Sequence, residues 1–227
     1  MKKYKTIGIL GGMGPESTAE FYLRIIRLFQ KEMNAVYDDD FPEIIIINLP
    51  LPDVVENKIN DEDIKFMLIQ CAKKLENAGA DFVAIPCNTV SSCIDEMRNE
   101  LSIPILNIVE ETSREINSQN FKRIGLLATE KTIQDKIYSD FLKNVDLIIP
   151  EKNDQKTVTK IVLTILSGRK ESENIEFLNC LIEYLKSRGA EKVILGCTDL
   201  PLLIARDDCI DTIEVLAKAA FRECTSQ

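Results

Sequence analysis

One short phrase occurs twice in this chain, and each copy carries a cysteine near its end. Residues 79–89 (GADFVAIPCNT) and 189–199 (GAEKVILGCTD) align without a gap, placing Cys87 over Cys197 at an offset of 197 − 87 = 110. Each copy reads as an apolar strand that delivers a thiol at its C-terminal end, with a hydroxyl residue, Thr89 or Thr198, just beyond. Continuous apolar runs of this kind mark parallel strands covered on both faces. In open α/β sheets ligands bind outside the carboxyl ends of the strands. Two such ends can therefore face one small molecule, so the repeat points to a site built between the halves.

The surrounding sequence repeats too. RIGLLAT (123–129) echoes TIGILGG (6–12) at an offset of 123 − 6 = 117, and DLIIP (146–150) stands where IIINLP stood. CIDTIE (209–214) resembles ILNIVE (105–110) in the same way. In the first half, a strand over 5–12 ends in glycines and a helix opens at Pro15, a residue suited to the first helical position. Tyr22, Ile25, Ile26, Phe29 and Met33 predict its apolar stripe. A strand over 43–49 (EIIIINL) is apolar at consecutive positions and is expected to be covered on both faces. A helix over 61–78, the strand ending at Cys87 and a short strand over 103–108 follow. This alternation predicts parallel α/β units, and the repeat is too long for a solenoid. The expected fold class is α/β, with two duplicated domains, each a four-stranded parallel sheet flanked by helices.

Composition narrows the chemistry. The net charge of −9 excludes the basic face that nucleic acid needs. There is no histidine, and the seven cysteines show no zinc-ligand spacing, so the usual metal sets and any Ser-His or Cys-His nucleophile are excluded. Acid–base work is left to carboxylates, lysine, tyrosine or cysteine. No run is long enough to span a membrane, and the opening apolar run is too short for a signal peptide. The expectation is a cytoplasmic protein with reduced thiols. Cys71 and Cys180 are expected to pack among apolar neighbours in helices, and Cys93, Cys209 and Cys224 are assigned no chemistry.

GGMGPES (11–17) lies between a strand and a helix, where phosphate-binding turns occur. Ser17 takes the place of the third glycine of the dinucleotide fingerprint, and the second strand ends in Asn48-Leu-Pro-Leu-Pro rather than an acidic residue. A nucleotide-binding oxidoreductase is thereby disfavoured. A turn whose amides meet a carboxylate and a purely structural turn both remain open.

Two thiols on opposite faces of one carbon perform a specific reaction. A thiolate on one side removes an α-proton, and a thiol on the other returns one, inverting the centre. Cysteine suits this because its pKa responds to nearby amides and cations. Asn88, Thr89 and Thr198 can hold an α-carboxylate and stabilise developing charge.

GILGGMGPEST at the N-terminus, PCNT at 86–89 and GCTDLPLL at 196–203 resemble the aspartate/glutamate racemase family, most nearly its cofactor-independent aspartate racemases. The resemblance extends over essentially the whole chain. It implies two α/β domains related by a pseudo-twofold axis, with the C-terminal helix returning to the first: 1–108 plus 211–227, and 109–210. It further implies a site in the cleft, no pyridoxal phosphate or metal, an amino-acid substrate, and a homodimer. Carried over by motif, Cys87 and Cys197 become the catalytic acid/bases, Cys87 facing the D-enantiomer's proton. Met13, Asn88, Thr89, Thr129, Thr132 and Thr198 become substrate-binding residues, with Arg169 as the basic contact. The departures are Val90-Ser91 where the family has Ala-His, Val54 where the close aspartate racemases have arginine, and Asp199 where the motif has glutamate. The expected activity is racemisation of aspartate, or glutamate, with relaxed preference. Alternatives are an isomerase of the hydantoin racemase or maleate isomerase type, and an amino-acid-binding member without turnover.

Overall fold

The computed structural model describes residues 3–52 and 61–226. The first half runs β1 (Ile7–Gly11), α1 (Pro15–Glu32), β2 (Ile44–Asn48), α2 (Asp61–Asn77), β3 (Phe82–Ala84), α3 (Ile94–Glu100), β4 (Ile105–Leu106) and α4 (Ile108–Ser118). The second runs β5 (Arg123–Leu127), α5 (Glu130–Gln134), β6 (Asp146–Ile148), α6 (Lys152–Leu166), α7 (Ser172–Ser187), β7 (Lys192–Leu195), β8 (Cys209–Asp211) and α8 (Thr212–Thr225). Two separate parallel sheets result, ordered β2-β1-β3-β4 and β6-β5-β7-β8. The same crossover pattern is built twice, as the repeat predicts.

Alternation along the central strands divides the core. Ile7 and Ile9 of β1, with Ile124 and Leu126 of β5, point into one shared core containing Phe21, Ile25 and Phe29 of α1, Ile116 of α4 and Leu216 of α8. Leu10 faces the other way, onto Leu68 and Leu75 of α2. Leu127 packs onto Val162 of α6 and Leu185 of α7. The two sheets thus share a middle core with α1, α4 and α8, while α2 and α7 cover their outer faces.

The repeated Gly-Ala-acid opening has a mechanical explanation. Gly79 (φ +96°) and Gly189 (φ +99°) turn the chain out of α2 and α7 in conformations that disfavour a side chain. Ala80 N then donates to Leu75 O, and Ala190 N to Leu185 O, each at 3.1 Å. The acid that follows clasps the start of the central strand. Asp81 Oδ2 accepts from Thr6 N at 2.6 Å, and Glu191 Oε1 accepts from Lys122 N at 2.6 Å and Arg123 N at 3.0 Å. A Cβ at Gly79 would meet nothing within 4 Å, so Gly79→Ala tests the backbone conformation alone. It is expected to lower stability by about 1–2 kcal/mol in urea unfolding.

Three expectations need correction. Strand β2 is only half covered, with Ile46 at 43% exposure, because it forms the edge of its sheet. The buried row of α1 is Phe21, Ile25 and Phe29, spaced at i and i+4, while Tyr22 and Met33 face outward. Cys180 is exposed, since α7 turns Leu178, Leu181, Ile182 and Leu185 inward instead. Val54 lies outside the described residues.

Candidate active site

The two cysteines arrive by equivalent routes. Cys87 lies beyond the end of β3, after Ile85 and Pro86, where its amide donates to Ile85 O at 2.8 Å. Cys197 follows Gly196 at the end of β7, and its carbonyl accepts from Leu200 N at 3.1 Å. Both thiols are buried, and both line one cavity of about 270 Å³. That volume is near the lower limit of ligand pockets and suits a small molecule.

A third wall comes from the turn between β1 and α1. Thr18 Oγ1 accepts from Gly12 N at 2.9 Å and donates to Gly14 O at 3.0 Å, which holds Met13 and Gly14 at the cavity. Gly14 permits a close approach, since a Cβ there would lie 2.5 Å from Leu166 Cδ2 and 3.2 Å from Asp199 Oδ1. The glycine-rich turn therefore joins the second half of the chain through its missing side chain.

The polar residues are cross-braced between halves. Tyr138 OH donates to Asn88 Oδ1 at 2.6 Å, and Asn88 Nδ2 donates to Thr212 Oγ1 at 3.2 Å. Thr198 Oγ1 donates to Pro86 O at 3.3 Å. The hydroxyls of Thr89, Thr129 and Thr132 form a triangle with sides of 3.0 to 3.4 Å. Met13, Asn88, Thr89, Thr129 and Thr198 line the cavity with the two thiols, and Thr132 stands behind Thr89 and Thr129. Arg169 is not brought there. Its guanidinium binds Ser167 Oγ at 3.0 Å and Glu171 at 3.2 Å in an exposed loop, because the chain leaves α6 at Gly168 and turns outward.

Asp199 is the residue that sequence reasoning passed over. Its carboxylate is buried against the cavity, accepting from Ser17 Oγ at 2.5 Å and from Cys197 Sγ at 3.6 Å. Burial pushes its pKa up, while the bonds from Ser17 and Cys197 oppose that rise. Burial likewise lifts Cys87 to about 11, against the pull of the Val90 and Thr89 amides. Cys197 is pushed well above its ordinary value by burial first and by the Asp199 charge second. Both thiols are therefore protonated at neutral pH in the free cavity. A cationic group entering it would favour the thiolate.

Among the described residues that line the cavity none is basic, and Asp199 is the one acidic residue. Among the described residues no group of three or more His, Cys, Asp or Glu is placed to hold a metal ion, and no helix is long and apolar enough to cross a membrane. The arrangement sets two thiols, several hydroxyl and amide groups and an apolar remainder around one cavity.

Comparison with known proteins follows the same lines. The family described as Asp/Glu/Hydantoin racemase matches residues 10–220. The chain is 36% identical over 218 residues to the broad specificity amino-acid racemase RacX of Bacillus subtilis, covering 94% of this chain and 95% of that protein. An aspartate racemase homologue from Pyrococcus horikoshii superposes with a TM-score of 0.78 at 29% identity, covering 98% of each chain. The aspartate racemase of Picrophilus torridus has the same fold, with a TM-score of 0.78 at 24% identity over 96% of this chain and 93% of that one.

Proposed function

The chain belongs to the Asp/Glu/hydantoin racemase family, and from that premise we propose that it racemises free amino acids by passing the α-proton between Cys87 and Cys197 without a cofactor. The observation that carries this reading is the pair of buried thiols, delivered by β3 and β7 to one cavity. The substrate's ammonium group supplies the positive charge that the cavity lacks and favours one thiolate. Its carboxylate is received by Asn88 and the hydroxyls of Thr89, Thr129 and Thr198, which stabilise charge as the α-carbon becomes carbanionic. Exclusion of water from the buried end of the cavity by bound substrate narrows the gap between thiol and α-proton acidity.

Selectivity for aspartate is the finer expectation, and the described lining gives it no support. A second carboxylate needs a cationic partner, and Arg169 is engaged elsewhere. Aspartate and glutamate enter this proposal as members of a wider substrate set, in keeping with the broad specificity for which RacX is named. A cytoplasmic setting belongs to the same proposal, because reactive thiols persist where the medium is reducing, as does the homodimer that the resemblance implies. We further propose that the domains divide at 1–108 plus 211–227 and 109–210, since α8 packs on α1 and Lys5 N donates to Cys224 O at 3.0 Å.

The test is incubation with a panel of L-amino acids in D₂O, followed by chiral separation. The expected result is α-deuterium in the D-product while the remaining L-substrate stays undeuterated, because a thiol carries a single proton and each face has its own. Binding without exchange across the panel would favour the non-catalytic alternative.

A further inference from the structure

The cavity changes character from one end to the other. Its buried end carries Cys87, Asn88, Thr89, Thr129, Cys197 and Thr198. The end toward solvent is formed by half-buried or exposed apolar residues, namely Met13, Leu51, Pro52, Leu163 and Leu166. Leu163 and Leu166 stand at i and i+3 on the last turn of α6, hence on one face of that helix. Leu166 is 40% exposed and reaches across to Gly14 of the other half. An apolar side chain left half in water at a cavity mouth gains burial when a ligand covers it.

The thiols fix which end of a substrate goes where. With the α-carbon between Cys87 and Cys197 and the carboxylate among the hydroxyls, the substrate side chain projects toward the leucines. No basic residue lines that end among the described residues. A carboxylate placed there would lose hydration without a charge partner, and the Asp199 carboxylate, which stands beside Leu166 at Gly14, would repel it.

Resting on the racemase reading above, we infer that the preferred substrates carry apolar rather than acidic side chains, gripped by Leu163 and Leu166 against Leu51 and Pro52. These four residues then set specificity, while the thiols and hydroxyls perform the chemistry common to every substrate.

The experiment measures kcat/KM for alanine, 2-aminobutyrate, norvaline and norleucine, beside aspartate and glutamate. Each added methylene is expected to raise kcat/KM about fourfold, the factor that follows from burying one CH₂. Norleucine should exceed aspartate and glutamate by at least about tenfold. Leu166→Arg, at an exposed position, is expected to flatten the methylene series and raise aspartate turnover roughly tenfold to a hundredfold. A flat series in the wild type, or aspartate or glutamate ahead of norleucine, overturns the inference and leaves the racemase reading intact. Absence of α-proton exchange with every amino acid overturns the racemase reading itself.

Discussion

Serine at position 87 or at position 197 is expected to lower racemisation by about four orders of magnitude, the upper range for a positioned acid–base group. A hydroxyl is far less acidic than a thiol, yet nearly the same size, so the fold should be retained. The double replacement should cost no more than either single one, because neither thiol completes the inversion alone and groups acting as a unit are not additive. Thermal unfolding alongside the kinetics separates a chemical loss from a structural one. If either single variant keeps within tenfold of normal turnover, the proton does not travel between these two residues.

The second large effect belongs to Asp199. Its carboxylate accepts from Cys197 Sγ at 3.6 Å and its charge raises the pKa of both thiols. Asp199→Asn removes that negative charge and weakens the acceptor. The sign follows directly: a nearby anion opposes the thiolate, so removing it makes both thiols easier to ionise. The rise of rate with pH should therefore move toward lower pH, while kcat near neutrality falls about tenfold to a hundredfold because the thiol proton faces a weaker, uncharged acceptor. Ser17→Ala is expected to act on the carboxylate in the same direction, favouring its neutral form. Loss of the 2.5 Å bond removes an interaction that lowers the Asp199 pKa, so the acid should hold its proton to higher pH. A pH–rate profile unchanged in both variants would leave Asp199 with a packing role only.

Much of this was legible in the sequence, for reasons that particular residues make plain. The apolar runs of β1, β3, β5 and β7 are central strands covered on both faces, so composition alone marks them. Strand β2 looked the same, but Ile46 and Asn48 sit at a sheet edge, and edge position is decided by topology rather than by local pattern. Cys87 and Cys197 could be paired because a duplicated chain writes equivalent positions in equivalent words. Tyr138 carries no such signal. It lies in an irregular segment between α5 and β6, and only the tertiary fold brings its hydroxyl to Asn88. Ser17 was weighed as an absent glycine, whereas its hydroxyl meets a carboxylate from the opposite half, across 199 − 17 = 182 positions of sequence. Leu163 and Leu166 resemble any apolar helix row, and what sets them apart is that α6 ends at the cavity.

The repeated plan brings a thiol from each half to the site, but the surroundings of the two thiols differ. Amides of Val90 and Thr89 reach Cys87, whereas Cys197 carries the Asp199 carboxylate. Mirror-image substrates have equal free energy in water, so the equilibrium between them is one-to-one whatever the protein does. The ratio of kcat to KM must then be identical for the two directions. The inequality of the thiol environments can surface only as a trade, with one enantiomer held more tightly and converted more slowly by the same factor. A chain whose two halves repeat one plan is thus free to let those halves differ, since thermodynamics returns the symmetry that the side chains lack.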